Sequence, residues 1–197
     1  MEKGYKRFIV NNLGHFSLFR KAQGGQENAV LVAGPWLYVF NAWARDFISR
    51  LGAAFCVSPL ENNRQNLERT FPREEKSAPG GRQVFITIYN RPSLFRIRSD
   101  LCGAYDFTNF SGNRGENFLL TPGPEGSLVY PQEPFSIVDK TGFLMGKGFS
   151  RFILDFSSGP LKKADYRNIM EAAKLAAHIP GTSRFNWKDG FFREPSA

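Results

Sequence analysis

The sequence predicts an α/β fold in which short parallel strands alternate with helices on the outside. Residues 30–61 read as strand, helix, strand and helix start without a break, the alternation typical of crossover connections. Short apolar runs recur at 83–89 and 151–156, and their length suits strands buried on both faces. We count about five strand–helix units, whereas eight close a (β/α)8 barrel. The fold is therefore predicted to be a partial (β/α)8-type barrel or an open parallel sheet.

Residues 30–61 form the centre of this pattern, and their sequence predicts where its strands and helices begin and end. A stretch rich in aromatic and β-branched residues predicts a strand at 37–40, and a second strand is predicted at 53–57. Asn41 is placed to cap the helix between them, and Gly52 to end it in the left-handed conformation. The i, i+3, i+4, i+7 spacing predicts the buried face of this helix: Ala44, Phe47, Ile48 and Leu51.

A second helix is predicted to begin at Ser58. Ser58 would be its N-cap, Pro59 would occupy the first helical position, and Glu61 would complete a capping box. We expect this helix to continue to about Thr70. The charged residues 73–82, rich in Gly and Pro, are expected to form an exposed loop.

The same alternation is predicted on either side of this centre. Before it lie a strand at 6–10, a short helix at 13–22 and a polar turn at 23–28. Towards the end of the chain we predict a short helix at 135–145, a strand at 151–156 and a helix at 165–177.

Residues 106–131 break the alternation. They lack a helical period and contain short apolar runs separated by Gly, Asn and Pro, which predicts antiparallel strands. A preceding extended stretch follows Pro92. We therefore expect one α/β domain over residues 1–197, with a β-ribbon inserted at about 106–131.

Composition restricts the class of protein and its partners. The chain of 197 residues carries a net charge of +8, so an anionic partner such as nucleic acid is compatible with it, although its Lys and Arg residues are scattered. Two cysteines argue against a secreted fold built on disulfides. No apolar run reaches transmembrane length, so we expect no membrane partner and a cytoplasmic location.

Candidate binding residues follow the predicted strands, because ligands of parallel α/β proteins bind beyond the carboxyl ends of the strands. Asn41 and Arg91 follow two strands directly, and Asp155 lies near the end of a third. Arg96 shares one face of an extended stretch with Arg98 and could grip a carboxylate or phosphate. Each has a structural alternative: Asn41 can be a helix cap, and the arginines can be a solvated face paired with acids.

The signatures of common enzyme classes are missing. The sequence contains no P-loop, no G-x-S-x-G elbow and no H-E-x-x-H motif. His15 and His178 lie far apart, and neither neighbours a Cys or an acid at ligand spacing. The catalytic residues, if the protein is an enzyme, are therefore unassigned.

Four segments together resemble the peptidase U32 family. They are LYVFNAWARDFISRLGAAFCVSPLENNRQNLERTF, VFITIYNRPSLFRIRSDLCGAYDF, NFSGNRGENFLL and FSIVDKTGFLMGKGFSRFILDF. Their order is similar to that of the family: an Asn-ended strand, a later strand with an Arg-Pro step towards a cysteine, a hairpin, and a helix–Gly–strand unit. The similarity covers residues 8–174.

The resemblance implies a (β/α)8-type barrel, of which this chain is similar to the C-terminal part. Family members are described as collagen-degrading peptidases, or as enzymes of oxygen-independent hydroxylation of RNA or of a quinone precursor with a 4Fe–4S cluster held by four cysteines. Cys102 matches the first cysteine of that pattern and would be a remnant ligand. The other three have no counterpart in a chain with two cysteines, so we predict no cofactor.

The leading functional hypothesis is therefore a U32-like domain, without a catalytic centre of its own, that binds a peptidic or anionic ligand through Asn41, Arg91, Arg96 and Asp155. One alternative is an enzyme or enzyme subunit in RNA or quinone-precursor hydroxylation. A third is a scaffold that completes a barrel with another chain, because a partial barrel leaves edge strands to be covered.

Overall fold

The fold is described from a computed structural model, which covers residues 5–21, 29–73, 82–104, 109–112, 116–123 and 125–184. The turn predicted at 23–28 and most of the loop predicted at 73–82 lie outside these residues. The described chain divides into two compact units. The first unit contains residues up to 87 together with 143–153, and the second contains 88–142 together with 154–184.

The structure contains ten strands and six α-helices among the described residues. The strands are β1 (Arg7–Val10), β2 (Val30–Ala33), β3 (Ala53–Val57), β4 (Val84–Asn90), β5 (Phe95–Ile97), β6 (Asn109–Ser111), β7 (Asn117–Gly123), β8 (Gly126–Pro131), β9 (Phe135–Ser136) and β10 (Phe152–Leu154). The helices are α1 (Phe16–Lys21), α2 (Ala42–Arg50), α3 (Arg64–Thr70), α4 (Leu101–Ala104), α5 (Thr141–Gly146) and α6 (Lys163–Leu175). None of the described helices is both long enough and apolar enough to cross a membrane.

The predicted α/β class with a partial barrel is confirmed. Five parallel strands form a curled, half-barrel-like sheet in the order β1-β2-β3-β4-β10. The pairing is parallel from β1 through β4, with Phe8 opposite Leu31 and Cys56 opposite Val84. Short connections between these strands carry α1, α2 and α3, as expected for crossover units.

The second sheet is the predicted antiparallel insertion, and it lies in the second unit. Its order is β5-β8-β7-β6, so it begins at Phe95, earlier than the 106–131 predicted from turn residues. The extended stretch after Pro92 is therefore part of it. Gly126 allows the tight turn between β7 and β8: its φ is 127°, and a Cβ there would lie 2.1 Å from the Ile97 carbonyl oxygen.

The strand predicted at 37–40 is wrong, because the strand in this segment is β2 at Val30–Ala33. Pro35 opens a 3₁₀ turn, Pro35–Leu37, directly after the strand, and Tyr38 follows in the left-handed conformation at φ 48°. Proline has no N–H to donate to a sheet, so the backbone leaves the sheet there. The neighbouring predictions hold: Asn41 caps α2, and Gly52 ends it with φ 108°.

The helix start predicted at Ser58 is also wrong. The backbone N–H of Ser58 donates to the Phe85 carbonyl oxygen at 2.9 Å, so the residue continues the pairing of β3 with β4. The helix begins at Arg64 instead, and the Asn63 carboxamide accepts from the Asn66 N–H as its cap. A contact distant in sequence has therefore overridden a good local capping pattern.

Two further predictions need correction. Phe47, expected on the buried face of α2, is 47% exposed, whereas Ile48 is buried as predicted. The helix predicted at 135–145 is only α5, because β9 pairs with β4 before it and Ile137 donates to the Ile88 carbonyl oxygen. The predicted helix at 165–177 is confirmed as α6.

An arginine cross-links separate segments of the first unit. The Arg82 guanidinium donates to the main-chain oxygens of Lys147, Glu68 and Phe71, and lies 4.8 Å from the centre of the Phe149 ring. Burial lowers the pKa of this guanidinium, and Glu68 opposes that shift. A planar group with five N–H donors is suited to hold several carbonyl oxygens together.

Replacing Arg82 with Met should lower the free energy of unfolding by about 2 kcal/mol or more, because several partly buried carbonyl oxygens lose their donor. Urea denaturation followed by circular dichroism measures this. The control is Arg96→Met, since the Arg96–Glu125 pair is 56% and 80% exposed and should contribute less than about 0.5 kcal/mol. Equal losses in the two variants would contradict a structural role for the Arg82 contacts.

Candidate functional site

A cleft of about 610 Å³ lies within the second unit. Its walls come from the carboxyl end of β4, the segment after β10, the first two turns of α6 and a later loop. Main-chain pairing of β10 with β4 brings the first two walls together, because the Asp155 N–H donates to the Tyr89 carbonyl oxygen at 2.8 Å. The lining residues are Tyr89, Arg91, Pro134, Asp155, Phe156, Ser158–Lys162, Asp165, Asn168, Ile169 and Ile179–Thr182.

Arg91 follows the end of β4 and lines the cleft, and two main-chain oxygens fix its side chain. Its Nε donates to the Pro131 carbonyl oxygen at 3.2 Å, and its Nη2 donates to the Gln132 carbonyl oxygen at 2.6 Å. These bonds use two of the five N–H groups of a guanidinium. The side chain is half-buried, so its orientation is fixed while it still lines the cleft.

Asp155 is positioned by the neighbouring strand, β10. It directly follows β10, and its Oδ1 accepts from the Ser157 N–H at 2.8 Å. This local turn satisfies one carboxylate oxygen and fixes the side chain. A carboxylate at the end of an apolar strand needs a partner or water, and Asp155 is half-buried with such a partner.

The aromatic rings of Tyr89 and Phe156 line the cleft. Tyr89 is 8% exposed, and its ring lies 5.7 Å from that of Phe156. The Phe156 ring in turn meets the Tyr166 ring edge-on at 5.5 Å. The series gives the cleft an apolar wall that also carries a phenol, which can donate or accept a hydrogen bond.

The pKa of the Tyr89 phenol depends on its burial and on two charged neighbours. Burial raises the pKa of Tyr89, the positive charge of Arg91 lowers it, and the negative charge of Asp165 raises it. Both charged groups are therefore close enough to act on one buried phenol. Together with Lys162 and Asp155, they give the cleft charges of both signs.

The structure brings two of the four predicted binding residues into this cleft. Arg91 and Asp155 both line it. Asn41 belongs to the first unit, where its Oδ1 accepts from the Ala44 N–H at 2.8 Å, so its role there is the helix cap. Arg96 is not among the lining residues and pairs with Glu125 at 2.6 Å on an exposed surface.

The cleft also contains residues that were not predicted to bind a ligand, among them Lys162, Asp165 and Tyr89. Lys162 and Asp165 flank the start of α6, and Tyr89 lies at the end of β4. The rule that ligands bind beyond strand ends points to Lys162, which lies in the connection from β10 to α6, whereas Asp165 lies within the first turn of that helix. Tyr89 was predicted to lie within an apolar strand, so its phenol was not considered as a binding group.

The cysteines do not fit the 4Fe–4S cluster that the family resemblance implies. Cys102 is half-buried, with its Sγ 3.8 Å from the Ser127 Oγ, and Cys56 is buried in the first unit. Burial raises the pKa of Cys56 to about 12, which disfavours the thiolate that would bind iron. Across the described parts of the chain, no three His, Cys, Asp or Glu residues gather at metal-binding distances.

Comparisons with protein-family models, with curated proteins and with solved structures gave no match to this chain.

The two charged neighbours of Tyr89 should shift its pKa in opposite directions. Replacing Arg91 with Ala should raise the pKa of Tyr89 further, and Asp165→Asn should lower it. Tyrosinate absorbance during a pH titration, taken as the difference from Tyr89→Phe, measures the pKa. An unchanged value in both variants, or shifts that match those of Arg96→Ala, would contradict this arrangement.

The raised pKa of the same phenol predicts how the stability of the fold changes at high pH. The raised folded-state pKa means that the contribution of Tyr89 to folding is complete below about pH 10 and is lost as the pH rises through the folded-state value. Tyr89→Phe should therefore show a smaller loss of stability at high pH than the parent protein.

Proposed function

We propose that the chain is a peptidase U32-like binding domain, without its own catalytic centre, whose cleft holds a peptidic or anionic ligand. The observation that carries this proposal is that Arg91 and Asp155, which follow different strands, line one cleft. That cleft lies at the carboxyl ends of β4 and β10, two neighbouring strands of the parallel sheet. Ligands of parallel α/β folds bind at such positions.

The positive groups favour a ligand with a carboxylate or phosphate. Arg91 is braced by two main-chain oxygens, and the planar guanidinium matches the two oxygens of a carboxylate. Lys162 lines the same cleft just before α6, whose N-terminus has no side-chain cap. The N–H groups of that first turn add positive potential on the same side.

The negative groups favour a peptidic ligand over a purely anionic one. Asp155 and Asp165 line the cleft beside the two cations. A peptide with free ends, or with a basic side chain, supplies an ammonium or guanidinium group for them as well as a carboxylate for Arg91. The rings of Tyr89 and Phe156 would then contact an apolar side chain.

The lining does not favour thiol or imidazole chemistry. Among the described residues that line the cleft there is no Cys or His, so no thiol or imidazole is available as nucleophile or base. Hydroxylation that depends on a cluster has no ligand set in this chain either, since it contains two cysteines. Binding without chemistry is the function that these residues support best.

Binding of free-ended tripeptides, and of inorganic phosphate as a purely anionic probe, should be measurable by thermal shift and calorimetry. Arg91→Ala should weaken tripeptide binding about tenfold or more, because one charge-assisted contact is lost. Asp155→Asn should weaken the tripeptide and leave phosphate unchanged. The matched control is Arg96→Ala, which removes the same charge outside the cleft and should have little effect.

Two outcomes would contradict the proposal. One is the absence of binding by all of these probes at millimolar concentrations. The other is equal weakening by Arg91→Ala and Arg96→Ala, which would indicate attraction by the overall charge of +8 rather than a site.

A second candidate function is a scaffold that completes the barrel with another chain. β1 ends the sheet order and pairs with β2 alone among the described strands. The carbonyl oxygens of Lys6 and Val10 accept from the N–H groups of Val30 and Gly34, so the backbone groups of the alternate residue Ile9 point the other way. The Ile9 side chain is 58% exposed and that of Tyr5 is 66% exposed.

If a second copy of the chain covers this edge, light scattering should give a mass above the 22.3 kDa of one chain. Ile9→Lys should restore the mass of one chain, because a charge is placed in the new interface. Leu18→Lys, at a residue exposed to the same degree on α1, is the control and should still associate. A single-chain mass for the parent protein at every concentration would rule out this form of the scaffold.

A further inference from the structure

The first unit carries a set of exposed aromatic rings that neither the cleft nor the sheet edge uses. They belong to residues 34–41 (GPWLYVFN), here called the aromatic loop, which connects β2 to α2. Trp36 is 56% exposed and Tyr38 is 47% exposed. The loop begins at the carboxyl end of β2, so it lies at the edge where parallel sheets bind ligands.

The rings of the aromatic loop form a continuous ladder. The Tyr38 ring is stacked on that of Phe40, with centres 6.0 Å apart and planes at 16°. The Trp36 ring meets the Tyr38 ring edge-on, at 6.5 Å and 71°. Two of the three rings are thus presented to solvent while supporting each other.

The loop is anchored so that these rings stay exposed. Val39, between the two stacked rings, is 1% exposed and fixes the loop to the core. The Phe40 carbonyl oxygen accepts from the Asn66 Nδ2 at 2.8 Å and from the Thr70 Oγ1 at 3.1 Å. Asn41 caps α2 immediately afterwards. The loop is therefore tied down at its end by α3 and α2.

Tyr38 adopts a backbone conformation that disfavours a bulky side chain. Its φ of 48° and ψ of 54° lie in the left-handed region. Glycine adopts this region without a steric penalty, whereas an aromatic residue is strained there. Strain of this kind tends to be found where a side chain must be presented for function. A glycine would satisfy the backbone here but would remove the central ring of the ladder.

The aromatic loop carries no charged side chain of its own. Residues 34–41 contain no Lys, Arg, His, Asp or Glu. The exposed Asn11 carboxamide lies directly against Gly34, where an added Cβ would lie 1.8 Å from the Asn11 Oδ1. A phosphate-rich ligand would find no cation within the loop, whereas carboxamides can donate to and accept from hydroxyl groups.

We propose that the aromatic loop is a binding site for an uncharged oligosaccharide of hexopyranose units. The C–H faces of two sugar units would contact the exposed parts of the Tyr38 and Trp36 rings, one unit on each ring, and sugar hydroxyl groups would hydrogen-bond the Asn11 carboxamide. This site belongs to the first unit and does not depend on the ligand proposed for the cleft.

The test is calorimetric titration with cellohexaose, maltohexaose and hexa-N-acetylchitohexaose, with polyuridylate as the anionic comparison. At least one hexasaccharide should bind. Trp36→Ala should weaken that binding about tenfold, and Tyr38→Phe, which keeps the ring, should change it less than about twofold. The control is Trp43→Ala, which removes an 85% exposed tryptophan from α2, outside the loop, and should leave affinity unchanged.

Tyr38→Gly separates a binding role from a structural one. Relief of the left-handed strain should leave the melting temperature equal or higher, while loss of the ring should weaken hexasaccharide binding about tenfold. The proposal is overturned if no hexasaccharide binds. It is equally overturned if Tyr38→Gly binds as well as the parent protein, or if polyuridylate is the only probe whose binding depends on Trp36.

Discussion

The pairing of β4 with β10 is the constraint on which the rest of the molecule depends. Two main-chain bonds define it: Ile86 donates to the Arg151 carbonyl oxygen, and Asp155 donates to that of Tyr89. These residues are more than sixty positions apart in sequence, so the pairing has to close a long intervening stretch. It brings the end of one strand beside the end of the other, and the cleft forms beyond both.

Much of the fold could be predicted because local chemistry and tertiary structure agree. Asn41 caps α2 and Gly52 ends it as their residue types indicate, and the parallel strands follow the expected alternation. The failures occur where a distant contact decides. Ser58 has every local feature of a cap, yet its N–H is already bonded to β4. The strand expected at 37–40 lies at Val30–Ala33, because β1 and β3 pair there and Pro35 cannot continue the ladder.

The candidate site shows the same division. The rule that ligands bind beyond strand ends selected Arg91 and Asp155, because it depends only on where strands stop. It also selected Asn41, since sequence cannot tell a capping carboxamide from a binding one. The contact of Tyr89 with the charges of Arg91 and Asp165 could not be predicted, because it requires β4 and α6 to be placed in space. The contacts of Arg82 could not be predicted either, since each carbonyl oxygen that it binds comes from another segment.

Both β4 and β10 begin in the first compact unit and finish in the second. The chain therefore leaves the first unit after Thr87, returns to it at Phe143 and leaves it again after Ile153. Neither unit can be encoded as one continuous stretch of gene without the other. Cutting the polypeptide after Thr87 or after Ile153 would split a strand, so neither unit keeps its strands whole when it is made without the other.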